Sequence, residues 1–185
     1  VNNVDAATNV ANQTARYESI AKWGRWTALV QQLPQGSESI NKAFAQIPNL
    51  EIVNSNDVFA LAYPGQTPIR LPDQGRAQFS LVAAEAYVKD KDFLSRAGVK
   101  SGQLEIDFAQ NLFNTQLAVA INAATIDTVK SQGAIDRFGR MTSNGALSNA
   151  NVNGIVLNKG LEATYLFDKS LATGGVLSGV AQWAR

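Results

Sequence analysis

Ser39 and Lys42 stand in an S-x-x-K pattern, and Lys100, Ser101 and Gly102 form a K-S-G triplet further along the chain. Together these are the vocabulary of serine acyl transfer, in which the lysine helps to activate the serine and the triplet sits on a strand beside it. Three features count against that chemistry. No S-D-N element lies between the two motifs, the triplet runs straight into a segment with helical spacing, and 185 residues are too few for the fold that uses the set. Ser39 has an ordinary place near a helix start, so coincidence is the better account.

Carboxylate pairs occur at Asp90 with Asp92 and at Glu105 with Asp107. General acid and base work needs two carboxyl groups that converge across a cleft with their pKa values pushed apart. Residues two apart on a helix diverge by about 200 degrees, so neither pair is expected to converge, and Glu105 and Asp107 read as favourable negative charge at a helix start. Asn54, Asn56 and Asp57 offer oxygens at short spacing, but no calcium-loop pattern with a closing glutamate follows. Gly174, Gly175 and Gly179 fit neither phosphate-loop pattern. No metal and no cofactor is expected.

Histidine and cysteine are absent from the chain. That removes imidazole acid–base catalysis, thiolate nucleophiles and the usual zinc ligand sets, and with them any disulfide framework. The expectation is a protein that is not an enzyme. Asn12, Gln13 and Thr14 match a glycosylation acceptor, a pattern too short to carry weight inside an expected helix. Trp23, Gly24, Arg25 and Trp26 form the densest aromatic group. On a helix the two tryptophans would lie on neighbouring flanks, which suits a core or subunit interface better than a stacking platform.

Hydrophobic residues make up 45% of the chain and charged residues 17%, with 16 basic and 15 acidic side chains for a net charge of +1. This is a globular composition with no basic footprint for nucleic acid. The longest apolar stretch, 104–126, is interrupted by Glu105, Asp107, Asn111, Asn114 and Asn122, which excludes it as a membrane span. The chain opens at Val1 without a methionine or a basic-then-apolar leader, the expectation for a processed secreted product or for a shortened chain.

The elements that would position these residues read as helices. Val10, Tyr17, Ile20, Ala21, Ala28 and Val30 recur at helical steps and predict a helix over 4–33, stopped by Pro34 and Gly36. Ser37 caps a short second helix that ends before Pro48. Residues 51–73, in which the short runs 51–53, 58–62 and 69–71 are separated by asparagines and by Pro64, Gly65, Pro68 and Pro72, read as an irregular, loop-rich insert with about two short strands. A helix is expected from Gly75 through Tyr87, then a short turn of helix at Phe93 and Leu94 closed by Gly98. Leu104, Phe108, Leu112, Leu117, Ile121, Ala124 and Val129 predict a helix of about eight turns over 103–130. Residues 142–153 read as a flexible connection, and a last helix runs from Val152 to near Gly174.

The sum is a mainly α protein: a helical bundle with one long central helix and a small irregular or β insert at 51–73, in a single domain over 1–185 with room for extended N- and C-terminal arms. Small residues such as Ala118, Ala120, Ala123 and Ala124 would let such helices pack against copies of the chain. The expected function is a non-enzymatic, self-assembling structural subunit of a virion or phage particle. The alternatives are a secreted or periplasmic pilus, filament or adhesin subunit, and a small-ligand binder whose site forms from distant residues. The expected setting is virion, extracellular or periplasmic, without a transmembrane span. Copies of the chain, in a homo-oligomer, and other assembly proteins are the expected partners, contacting through Trp23, Trp26, Phe108, Leu112, Leu117, Ile121, Val176 and Trp183.

Overall fold

From residue 76 onward the chain alternates inward and outward side chains, the period of a strand rather than of a helix. The computed structural model describes residues 19–26, 44–45, 47–65, 69–91 and 93–185. Eleven strands run through them: β1 (Lys22–Arg25), β2 (Leu50–Ser55), β3 (Phe59–Pro64), β4 (Arg76–Asp90), β5 (Phe93–Asp107), β6 (Leu112–Ala120), β7 (Ile126–Ile135), β8 (Arg140–Ser143), β9 (Asn151–Leu157), β10 (Glu162–Ser170) and β11 (Val176–Ala184). The expected helical bundle is therefore corrected to an all-β fold. Strands β4 to β11 form a closed antiparallel barrel in chain order, with β11 returning to pair with β4, and β1, β3 and β2 form a separate small sheet in that order.

The long central helix expected over 103–130 is instead the end of β5, all of β6 and the start of β7. Its apolar residues are spread over three strands and two turns: Leu104 on β5, Leu112 and Leu117 on β6, Val129 on β7, and Phe108, Ile121 and Ala124 in the connections. Leu104 and Ile106 point inward on β5, and Phe113, Leu117 and Val119 do so on β6. Asparagines make the turns: Asn111 has a positive φ of 55°, and the Asn122 carboxamide oxygen accepts from the Ala124 and Thr125 amides at 2.9 and 2.8 Å. The helix expected from Gly75 is β4, the short turn at Phe93 opens β5, and the last helix is replaced by β9 and β10. The connection at 142–153 holds the end of β8, a 3-10 turn at Gly145–Leu147 and the start of β9. Of the three short runs in the insert, 51–53 lies within β2 and 58–62 overlaps β3 from Phe59, while 69–71 is not a strand. The helices expected over 4–33 and from Ser37 fall mostly outside the described residues; 22–25 within the first is strand β1.

The barrel interior is filled. Trp183, Tyr165, Phe167, Phe113 and Leu117 meet there, with the Tyr165 and Trp183 rings 5.9 Å apart. Eight strands enclose a space that side chains just fill. Gly102 faces it because a β-carbon there would stand 2.7 Å from the Trp183 ring and 2.5 Å from Leu117. The Tyr165 hydroxyl sits 2.7 Å from Thr115 Oγ1, which also donates to the Gln103 carbonyl at 3.0 Å. Full burial moves the Tyr165 hydroxyl pKa far up, against the opposing hydrogen bonds of Thr115 and Trp183, so it stays a neutral donor and acceptor.

The small sheet covers half of the outer wall. Phe59, Leu61 and Tyr63 of β3 pack on Tyr87, Ile155, Leu157, Leu166 and Val180, which are the outward residues of β4, β9, β10 and β11. Arg25 of β1 forms an ion pair with Glu85 of β4, and its guanidinium lies 5.6 Å from the Trp23 ring centroid and 5.9 Å from that of Tyr87. Asn56 bridges the layers: its oxygen accepts from the Val58 and Phe59 amides, and its nitrogen donates to Asp168 at 3.1 Å. The remaining wall, β5 to β8, presents residues such as Gln103, Asn114, Gln116, Lys130 and Gln132 to water. A membrane-spanning barrel has the inverse arrangement, apolar outside and polar within. Among the described residues no helix is long and apolar enough to cross a membrane.

Candidate functional site

Antiparallel register aligns outward side chains into rows across the open wall. Arg76 of β4 stands opposite Asp107 of β5, Asp107 opposite Leu112 of β6, Leu112 opposite Ala134 of β7, and Ala134 opposite Thr142 of β8. The next row runs from Gln78 through Glu105 and Asn114 to Gln132. Beyond β8 the chain rises in the 3-10 turn Gly145–Leu147, capped by the Asn144 side chain, which accepts from the Ala146 amide. That turn puts Leu147 beside the two rows and closes a groove of about 530 Å³.

The wall of the groove is held by its own polar ladder. Ser148 Oγ donates to the Gln132 carbonyl at 3.1 Å and accepts from the Gln132 amide at 3.0 Å, while Asn149 accepts from the Lys130 amide at 2.8 Å and donates to the Thr128 carbonyl at 2.9 Å. These contacts continue the β7 edge after β8 has ended. Leu112 and Leu147 remain 44% and 61% exposed at the centre. Asn114, Gln132, Thr142 and Asn144 surround them. Arg76 Nε meets Asp107 Oδ2 at 2.8 Å at one end.

Glu105 and Asp107 both line the groove. Their sequence reading is corrected, because residues two apart on a strand share a face. Acid–base catalysis by the pair would need one carboxyl held protonated. Asp107 is held ionised instead: the Gln110 amide donates to it at 3.0 Å and Arg76 adds its hydrogen bond and charge, lowering its pKa despite some desolvation. The groove combines an apolar centre with side chains that donate and accept hydrogen bonds around it.

The other sequence candidates are dispersed. Leu112 alone of the expected interface residues lies in the groove. Leu117, Trp183 and Phe108 are buried among the barrel core, and Ile121 packs partly against it. Val176 is half-exposed at the start of β11. Trp23 packs edge-on to Phe59 at 5.7 Å between the layers, while Trp26 is 41% exposed and donates its indole N–H to the Asn56 carbonyl at 2.7 Å. Lys100, Ser101 and Gly102 lie on strand β5, not before a helix, with Lys100 the extra residue of a bulge between Val99 and Ser101. Ser39, Lys42 and the acceptor at 12–14 lie outside the described residues. Asp57 is paired with Lys89 at 2.7 Å, and Asn56 is engaged as above. Among the described residues no group of three or more histidine, cysteine or acidic side chains gathers as a metal site.

Sequence reasoning missed Gln132, Asn144 and Leu147 altogether. The signal was there in the serine- and asparagine-rich run at 143–151, whose side chains bond to backbone rather than loosen it.

No protein family and no curated protein matches this sequence. Among solved structures, the chain is similar to a double mutant of transferrin binding protein B, described as a vaccine antigen, from Haemophilus parasuis Hp5, at 15% identity and a TM-score of 0.44, over 70% of this chain and 29% of that one. It is similar to intact Ap-TbpB with its N and C lobes, at 13% identity and a TM-score of 0.43, over 71% of this chain and 30% of the other. It is also similar to a surface lipoprotein, at 9% identity and a TM-score of 0.45, over 90% of this chain and 100% of the other. The chain thus spans about three tenths of the transferrin-binding structures it matches, and none of the three likenesses reaches a TM-score of 0.5. The helical, virion and filament reading falls with the helices that motivated it: the alanines meant for helix packing lie on or beside strand β6.

Proposed function

We propose that this chain is a non-enzymatic binding module that takes an uncharged, apolar-tipped segment of another protein into the groove of the open wall. One observation carries the reading: Leu112 and Leu147 stand exposed at the centre of a rigid groove whose surrounding amides and hydroxyl offer hydrogen bonds of both senses. A peptide main chain presents the same mixture of donors and acceptors. Arg76 and Asp107 satisfy one another, and among the described residues lining the groove Glu105 is the one further charge. The residual negative charge of Glu105 disfavours an acidic segment, and the uncharged remainder of the lining offers no further ionic partner. The groove's volume suits two or three side chains, as at the centre of a small interface.

The test is selection of displayed peptides on the purified protein, followed by affinity measurements on wild type and on Leu147→Asp. The reading expects apolar-centred peptides whose affinity falls about tenfold to a hundredfold in the variant, the cost of replacing a buried leucine contact by a charge. Peptides that bind the variant equally well, or a selection that yields none, would overturn it. We also propose an extracellular or cell-surface setting, with which a cysteine-free chain is compatible. Cleavage by protease added to intact cells checks that setting, and full protection would refute it.

A further inference from the structure

A second cavity, of about 620 Å³, lies between the small sheet and the turn joining β7 to β8. The turn is rigid. Asp136 Oδ1 accepts from the Phe138 and Arg140 amides at 2.8 and 2.9 Å, and the Gly139 amide returns to the Asp136 carbonyl at 2.9 Å. Gly139 has a φ of 76°, and a β-carbon there would stand 2.5 Å from the Val156 carbonyl oxygen, so glycine is required. This mount holds Phe138 at the cavity with 53% of its surface exposed and the Arg137 guanidinium 4.7 Å from its ring centroid.

The small sheet supplies the facing groups. Glu51 of β2 accepts from Arg140 Nη2 at 2.6 Å, and Tyr63 of β3 lines the cavity beside it, its hydroxyl pKa raised by burial and by the Glu51 carboxylate. Asp136 contributes a second carboxylate. Carboxylates only accept hydrogen bonds and a guanidinium only donates them, so the set can meet hydroxyl groups in both senses. The lining holds the carboxylates Glu51 and Asp136 and the guanidinium of Arg140, and Arg137, outside the lining but against the Phe138 ring, brings the local charge to balance, so the site offers little to an ionic ligand. An exposed ring beside such a set suits a molecule with one C–H face and several hydroxyls. The volume lies within the roughly 300 to 1,000 Å³ usual for small-ligand sites.

We propose that this cavity binds a neutral saccharide, with a sugar ring stacked on Phe138 and its hydroxyls on Glu51, Asp136 and Arg140. The site is separate from the groove and does not depend on the reading given to it. The experiment applies the full chain to an array of immobilised neutral glycans, then titrates the bound oligosaccharide calorimetrically into wild type and variants. Phe138→Ala is expected to weaken binding about tenfold or more, the size of one lost stacking contact, with an unchanged melting temperature because the ring is exposed. Glu51→Gln is expected to weaken it as well, and Leu147→Asp to leave it unchanged. Absence of binding to every neutral glycan at millimolar concentration would overturn the proposal, as would binding that Phe138→Ala leaves intact or that Leu147→Asp abolishes.

Discussion

The two halves of the barrel wall share one interior but differ in what lies outside them. On β9, β10 and β11, and on β4 at Glu85 and Tyr87, outward residues are buried under the small sheet, so these strands are apolar or tightly paired on both faces. On β5 to β8 the outward residues meet water, and the strands alternate between an apolar inner row and a polar outer one. The covered half therefore resembles a sandwich, in which each outward residue contributes to stability. The open half is free to vary on its outer face and carries the groove.

Removing the ion pair that pins the two layers should have the largest effect. Arg25→Ala leaves Glu85 mostly buried without its guanidinium, and a loss of about 3 to 5 kcal/mol is expected in denaturant unfolding. Replacing both partners together by leucine should recover most of that loss; a double variant as unstable as the single one would show that the layers are not held as described. Leu166→Ala, in the same covered layer, is expected to cost about 2 to 5 kcal/mol by cavity formation. We propose that both variants unfold in one transition, since the sheet and barrel share a buried layer and behave as a single domain. Two separated transitions would contradict this.

Acid should act with opposite sign on the two halves. Burial raises the pKa of Asp168 on the covered side, against hydrogen bonds from Ser178 at 2.5 Å and from Asn56. A carboxyl raised on folding stabilises most below its ordinary value of 3.8, and the contribution is lost as pH rises through the raised value. Asp168→Asn should therefore raise the melting temperature at pH 7 and gain nothing at pH 3. Asp107 on the open wall is lowered, so its contribution is present above 3.8 and disappears as pH falls through its folded value. Asp107→Asn should lose stability at pH 7 and little in acid. Melting curves at the two pH values compare the signs, and equal signs would dissolve the distinction. The smallest change belongs to the open face: Gln116→Ala should stay within about 0.5 kcal/mol of wild type by the same unfolding measurement.

Legibility followed the same division, with a physical cause in each place. Strands β2 and β3 could be read because prolines and asparagines bracket short apolar runs. The alternation of β4 and β5 is broken by bulges, at Val82 of β4 opposite Gln182/Trp183 of β11 and at Lys100 of β5 between Val99 and Ser101, which shift the inward set by one residue. On β6 and β7 the inward row includes Thr115, Ser131 and Gly133, so the apolar period fades where the barrel uses a hydroxyl or needs room. The surviving leucines and isoleucines then fell at four- and five-residue steps and imitated a helix. On β9 and β10 both faces are buried, and a continuous apolar run does not distinguish a strand from a buried helix. The groove was invisible for a related reason, since Leu112 and Leu147 are neighbours only through the register of β6, β7 and β8.

The sequence by itself determined the chemical vocabulary: without histidine or cysteine, imidazole and thiolate chemistry are closed to this chain, and near-balanced charge leaves it without a nucleic-acid footprint. Those are properties of residue types and survive any fold. Tertiary structure decided the rest. It turned apparent helices into strands, set Glu105 and Asp107 on one face, buried Trp183 and Leu117 in the interior, and covered one half of the wall while leaving the other open. Side-chain alternation is a local property, but which face is covered depends on β3 meeting β10 about a hundred residues away, and no local pattern records that contact.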